Sequence, residues 1–350
     1  MDCITYYRNF LATLAQQPSV LAIMKLMNKE SLKILLTIGI CALLGGILAL
    51  YMNQAITIKS SSRISVLKTK PESEAVTMMF VGDMMLDRYI RAQAESNKYT
   101  SIISAVKRQM KEVDIVIGNL EGTITSQQSV STYDPEDPNH YRFTFAPLVA
   151  DLLKDHNVGL VSIGNNHITD FGSTGVSETT DYLESAGISY AGHPYDNKKI
   201  SSNITINEQV FAFTSFNYAD KRTSEITVEE IINLKNQTPT PDWIIILTHW
   251  GNEYQEESSS TQRQQARSFI DAGADLIIGS HPHVIQESET YNEGLIYYSL
   301  GNFIFDQYFS AAVSCGLVLQ VEFNTNGTLQ TSERTVKLIN DGTTQFADCR

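Results

Sequence analysis

The sequence predicts a layered α/β fold preceded by one membrane-spanning helix. Three observations lead there. Residues 34–52 form an uncharged apolar run of nineteen near the N-terminus. A stretch rich in Ser, Thr and Lys follows at 53–74. From Ala75 onward, short apolar runs alternate with helix-like stretches, the pattern of strands and helices that share layers.

The first element is the apolar run, ILLTIGICALLGGILALYM. A helix of that length spans about 30 Å of hydrocarbon, and a soluble helix rarely runs so far without a polar face. A cleaved signal peptide competes with this reading. It is disfavoured by the long N-terminal extension and by Tyr51-Met52-Asn53 where small residues are needed, although Ala49 and Ala55 leave cleavage open. Lys25, Lys29 and Lys33 precede the run, and Lys59, Arg63, Lys68 and Lys70 follow it, so positive charge does not set the orientation. A single helix ahead of a large domain commonly acts as a signal anchor. The expected organisation is therefore a cytoplasmic segment over 1–33, an anchor over 34–52, a linker over 53–74 and an extracytoplasmic domain over 75–350, at the bacterial cytoplasmic membrane.

The domain elements follow in order. AVTMMFVGD (75–83) reads as a strand ending in a Gly-Asp turn, 97–111 as a helix, and VDIVIGNLE (113–121) as a second strand. A helix over 147–156 carries Pro147 in its first turn. VGLVSIGNNH (158–167) is a third strand, and the helix over 174–186 ends at Gly187. ISYAG and QVFAFTSF (209–216) are strands. A helix over 227–235 precedes DWIIILTHW (242–250), and one over 261–272 precedes ADLIIGSHPH (274–283). GLIYYSLGNF (294–303) and SCGLVLQVEF (314–323) close the series, so one sheet is expected to finish antiparallel.

Composition narrows the function. The chain has 350 residues, 42% of them hydrophobic, with a net charge of −13. That is ample for a core and argues against a nucleic-acid partner, which needs a basic surface. An anionic substrate must instead be held locally, by metal ions or by single Arg and Lys side chains. Four cysteines are too few for a disulfide scaffold. Only Cys315 and Cys349 are placed to pair outside a membrane, and nothing in the sequence forces them to.

Five of the strand-like runs end in metal-competent or hydrogen-bonding residues: Gly82-Asp83, Asn119-Leu120-Glu121, Gly164-Asn165-Asn166-His167, His249-Trp250-Gly251 and Gly279-Ser280-His281-Pro282-His283. In open α/β sheets, ligands bind beyond the carboxyl ends of strands, so five segments can converge on one pocket. Asp and Glu oxygens with His nitrogens suit Zn, Mn or Fe. A bridging carboxylate can hold two such ions about 3.5–4 Å apart for an in-line displacement. Two imidazoles at i and i+2 on a strand point to opposite faces, so a turn at Pro282 is needed to aim both at one metal pair. Taken singly, each residue has a plainer reading, as a turn aspartate, a solvated glutamate or a core histidine; the conjunction carries the weight. His140 and His156 read as structural or solvated, and His193, after Ala191-Gly192, is left open as a pocket residue.

GDMMLDR, GNLEGTIT, SIGNNHITDFG, THWGNEY, IIGSHPHVIQ and YSLGNFIFDQ, in that order, resemble the successive motifs of the CapA (poly-γ-glutamate capsule biosynthesis) family, within the calcineurin-like metallophosphatase superfamily. The resemblance covers about residues 77–308. It implies a metallophosphatase-like β-sandwich flanked by helices, and two divalent ions. It also implies Asp83, Glu121, Asn166, His249, His281 and His283 as metal ligands, Glu121 bridging, and His167 as the residue that contacts phosphate or protonates the leaving group. Asn119, Asp170 and Glu253 are expected to orient the ligands; Asn302 and Asp306 lie in a motif without an assigned role. One departure stands out. The superfamily begins Asp-X-His, and the third position here is Met85, so one imidazole is missing.

Three functions compete. The first is a capsule protein that assists synthesis or export of poly-γ-glutamate or a related anionic polymer with membrane partners. The second is a metal-dependent hydrolase of phosphoester or amide bonds, with His167 as general acid. The third is a polymer-binding scaffold without catalysis.

Overall fold

A computed structural model describes residues 29–31 and 74–349, apart from 133, 135, 221 and 222. The chain divides into a unit over Met1–Pro71 and a unit over Glu72–Arg350. In the first, the described residues form one turn of helix. The span expected at 34–52 lies outside the described residues, as does nearly all of the 53–74 linker. Among the described residues, no helix is long and apolar enough to cross a membrane.

The second unit is built on two facing sheets. The first sheet contains β1 (Val76–Met84), β2 (Ile115–Leu120), β5 (Val158–Ser162), β6 (Ser189–Ala191), β13 (Asn302–Ile304), β14 (Cys315–Phe323), β15 (Leu329–Leu338) and β16 (Thr344–Phe346). Its order is β16-β15-β14-β1-β2-β5-β6, with β13 also on β1. The second contains β7 (Ser201–Ile206), β8 (Gln209–Asn217), β9 (Trp243–His249), β10 (Leu276–Ser280), β11 (Ser288–Tyr291) and β12 (Gly294–Tyr297), in the order β11-β12-β10-β9-β8-β7. A small pair, β3 (Thr123–Ile124) with β4 (Thr144–Phe145), lies apart. The parallel centre of each sheet ends antiparallel, at β14–β16 in the first, as the C-terminal run of strands predicts.

Side-chain alternation explains the layers. On β1, Met78 and Phe80 face the second sheet, while Met79 and Val81 face helices. On β9, Trp243, Ile245 and Leu247 face the first sheet, while Ile244 and Ile246 face the other way. Both central strands are therefore apolar on both faces, which is why they read as continuous hydrophobic runs. Outside the first sheet pack α1 (Arg88–Asn97), α2 (Lys107–Lys111), α3 (Leu148–Asp155) and α4 (Gly172–Ser185). Outside the second pack α5 (Ser224–Lys235) and α6 (Ser260–Ala272). The result is a helix–sheet–sheet–helix sandwich. α6 is delimited as its sequence dictates: Ser259 and Gln262 form a capping box, and Gly273 takes φ 119° at its end.

Two expectations are corrected. The helix over 97–111 is not continuous: Lys98 takes φ 76° and ends α1, and the Ser101 and Ser104 hydroxyls bond carbonyls three residues back, so α2 starts only at Lys107. The strand over 294–303 is two strands in different sheets, because Gly301 turns the chain at φ 68° between β12 and β13. At that crossing the backbones nearly touch: a Cβ on Gly82 would lie 1.8 Å from the Gly301 oxygen.

Candidate metal centre

The parallel strands of both sheets carry their functional residues at or just past their carboxyl ends. β1 contributes Asp83, and the turn after β2 contributes Glu121. Asn166 and His167 lie in the turn after β5, His249 ends β9, and His281 and His283 follow β10. All seven sequence-predicted residues come to one region. Asp83, Glu121 and His249 are fully buried, and His281 and His283 are 3% exposed.

The ligand atoms fall into groups within 4.8 Å of one another: Asp83, Glu121 and His283 in one, and Glu121, His249 and His281 in another. Glu121 belongs to both. Asn166 Oδ1 lies 2.7 Å from His249 Nε2, adding an oxygen to the second group. The turn that the His-Pro-His segment requires is present: His281 takes φ 95° and His283 φ 58°. Positive φ is uncommon outside glycine and concentrates at functional sites. Here it brings the two rings to a centroid separation of 6.0 Å.

Neighbouring groups hold these side chains. Asp83 accepts from Asn119 Nδ2 at 2.8 Å and from the His281 N–H at 3.2 Å, and His283 Nδ1 lies 3.1 Å from it. Asn119 Nδ2 also lies 3.2 Å from Glu121 Oε2 and 3.3 Å from His249 Nδ1. Asn165, the other half of the Asn pair, donates to Asn119 Oδ1 and to the Leu120 carbonyl, and accepts from the His167 N–H. The His167 ring packs 4.2 Å from that of Phe143, and its Nδ1 lies 3.1 Å from Asp170 Oδ2, which also accepts from the Phe143 N–H.

Burial and mutual charge set the protonation states. Burial pushes Glu121 well above the usual carboxylate range, and the charge of Asp83 adds to it. For Asp83 burial acts upward as well, but the hydrogen bond and charge of His283, with help from Asn119 and the His281 N–H, hold it below the ordinary value. Burial, then the neighbouring imidazoles, push His249 well below the usual histidine range and His281 down to about 4. Neutral imidazoles with free lone pairs are the form that binds metal.

A divalent metal ion fits this donor set. Glu121 Oε1 and His281 Nδ1 are buried without any hydrogen-bond partner, and an orphaned buried polar atom costs about 1–3 kcal/mol unless something meets it. Both atoms belong to the mixed carboxylate and imidazole set that suits Zn, Mn or Fe.

Sequence reasoning missed four contributors. Asn302 Oδ1 lies 3.0 Å from His283 Nδ1, and Ser280 Oγ lies 3.1 Å from His249 Nδ1. Asp306 pairs with Arg88, whose guanidinium lies 5.0 Å over the Phe143 ring that backs His167. The polar residues of Leu300-Gly301-Asn302 and of Ser280 beside His281 were the available signal. Met85 does not reach the cluster. It is fully buried in the helix-side core, with its Sδ against the Asp87 N–H. His156 is a buried structural residue whose Nδ1 meets the Leu152 carbonyl, and His140 contacts Arg88 and the Thr132 carbonyl. His193 Nδ1 accepts the N–H groups of Tyr195 and Asp196 in its own turn.

The sequence is similar to known bacterial capsule synthesis proteins. Over residues 77–307 the sequence matches the family described as bacterial capsule synthesis protein PGA_cap. It is 33% identical over 279 residues to the PGA biosynthesis protein CapA of Bacillus subtilis (strain 168), covering 75% of this chain and 71% of that protein. It is 28% identical over 274 residues to the capsule biosynthesis protein CapA of Bacillus anthracis, covering 73% of this chain and 66% of that protein. The chain thus spans about two thirds of these relatives' lengths. Among solved structures, a hypothetical protein from Thermus thermophilus aligns at 14% identity and a TM-score of 0.49, over 75% of this chain and 99% of that one. The family match holds every strand end described above, from Asp83 to Asn302, and on it the chain belongs to the PGA_cap family of bacterial capsule synthesis proteins.

Proposed function

We propose that this chain is a membrane-anchored accessory protein of capsule synthesis or export, and that its sandwich domain is a metal-dependent hydrolase of phosphoester or amide bonds. The polymer served is poly-γ-glutamate or a related anionic chain. The carrying observation is the pair of ligand groups that share Glu121. Bound metal ions would supply an activated water and a Lewis acid for the scissile group. Asp83, Glu121 and His283 would hold one ion, and Glu121, Asn166, His249 and His281 the other. Asn302 at His283 Nδ1 and Ser280 at His249 Nδ1 would direct the opposite nitrogens to the metals. With Nδ1 held by Asp170, His167 would donate a proton from Nε2 to the leaving group.

The apolar run at 34–52 is assigned as the anchor, with the domain outside the cytoplasmic membrane. The Cys315–Cys349 disulfide supports that side, because structural disulfides persist in oxidising compartments. Partners would then be the polymer and membrane components of its synthase or exporter. A second reading, a polymer-binding scaffold without catalysis, is favoured by Met85, which leaves the first group one imidazole short.

The test is elemental analysis of the full chain beside the His281→Ala/His283→Ala double variant. About two equivalents of Mn, Fe or Zn in the wild type, lost in the variant, support the hydrolase; polymer cleavage should then collapse in His167→Ala. No metal in either folded protein leaves the scaffold.

A further inference from the structure

The geometry points to Glu253 as a direct metal ligand, in a set shared with His281 and His283. This rests on the metal-centre reading above, and changes the part of Glu253 from orienting a ligand to being one. Among the described residues, the first group offers three side chains, Asp83, Glu121 and His283. Met85 is turned into the helix-side core and is not available. A Glu253 carboxylate oxygen lies within 4.8 Å of ligand nitrogens on both His281 and His283.

The backbone puts it there. The segment after β9 runs alongside the His281-Pro282-His283 turn: the Trp250 N–H donates to the Ser280 carbonyl at 3.2 Å, and the Tyr254 N–H to the Pro282 carbonyl at 2.8 Å. Gly251 at φ 86° and Tyr254 at φ 64° bend the chain between those two clips. Gly251 also packs so closely on the Gln262 side chain that a Cβ would lie 2.7 Å from it. Glu253 is therefore held beside both imidazoles by its own main chain.

Glu253 differs from the other ligands in being solvent-exposed. The buried ligands form the floor of the site, and Glu253 closes it from the open side.

Mn²⁺ titration of the full chain by calorimetry, with electron paramagnetic resonance of the loaded protein, tests this. Glu253→Gln keeps the shape and removes the anionic donor; Glu256→Gln, an exposed neighbour, controls for charge alone. The expected result is Mn²⁺ affinity weakened in Glu253→Gln by more than the about 10- to 100-fold that losing an orienting residue costs, with an altered manganese spectrum, and wild-type behaviour in Glu256→Gln. Equal affinity in Glu253→Gln and wild type, or equal weakening in both variants, overturns the ligand assignment and leaves the metal centre standing. A folded wild type that takes up no Mn²⁺, Zn²⁺ or Fe²⁺ overturns both.

Discussion

Asn119 joins the two sheets at the candidate metal centre: its Nδ2 donates to Asp83 Oδ1 at 2.8 Å and lies 3.3 Å from Nδ1 of His249. Asp83 stands on β1 of the first sheet, and His249 ends β9 of the second. One amide thus touches candidate ligands from both layers. Asn119→Ala should weaken Mn²⁺ or Zn²⁺ binding about 10- to 100-fold without unfolding the domain. Competition with a chelator of known affinity measures this, and unchanged affinity would remove Asn119 from the support of the site.

Asp275 should shape the pH dependence of stability. Burial raises its carboxyl to about 6, against a hydrogen bond from the Ile244 N–H that acts downward. The folded state then holds a proton more tightly than the unfolded state. That stability is fully present below about pH 4 and is lost as pH rises through about 6. Asp275→Asn keeps the acceptor for Ile244 without the buried charge. It should stabilise the domain at pH 7 by on the order of 2 kcal/mol and leave it little changed at pH 4. Urea melts at the two pH values decide it; a larger gain at pH 4 would reverse the argument.

Gly82→Ala should be severe. Its Cβ would lie 1.8 Å from the Gly301 carbonyl oxygen, which also accepts the Asp83 N–H at 3.0 Å. Relief requires β1 and β13 to part just where Asp83 projects. The expected cost is about 3 kcal/mol, read from urea unfolding, together with loss of metal. A variant as stable as wild type would mean the crossing has slack.

Reduction should loosen the C-terminus. Cys315 begins β14, and its disulfide reaches Cys349, 34 positions on, beyond the β15–β16 pair. Closing a loop of that size stabilises by about 4 kcal/mol at most. Cys349→Ser should fall short of wild type by up to that amount. Wild type in reductant should match the variant, and a difference confined to the variant would point to packing instead.

The strand ends were legible because each carries its chemistry next to an unbroken apolar run: Ile244–Ile246 before His249, and Leu276–Ile278 before His281. Their assembly into two layers was less legible, since it depends on which face of β1 and β9 meets which sheet. α1 was hidden by its polar sequence, which buries only Ile90 and Ala94. β15 was hidden for the same reason: it is exposed along most of its length and is a strand through its ladder with β14. Asn302 became interpretable only once the chain was seen to leave the second sheet after β12 and pair, as β13, with β1 opposite Asp83. Such partners are fixed by contacts distant in sequence, and no local pattern announces them.

The contact between the His281 N–H and Asp83 spans 198 positions of sequence. No short stretch of the unfolded chain therefore contains the centre, and the full ligand set exists only after both sheets have closed on each other. A metal ion held by this set would then arrive late in folding. Once seated it would act as a rivet between the layers, tying Asp83 and Glu121 of the first sheet to His249 and His281 of the second.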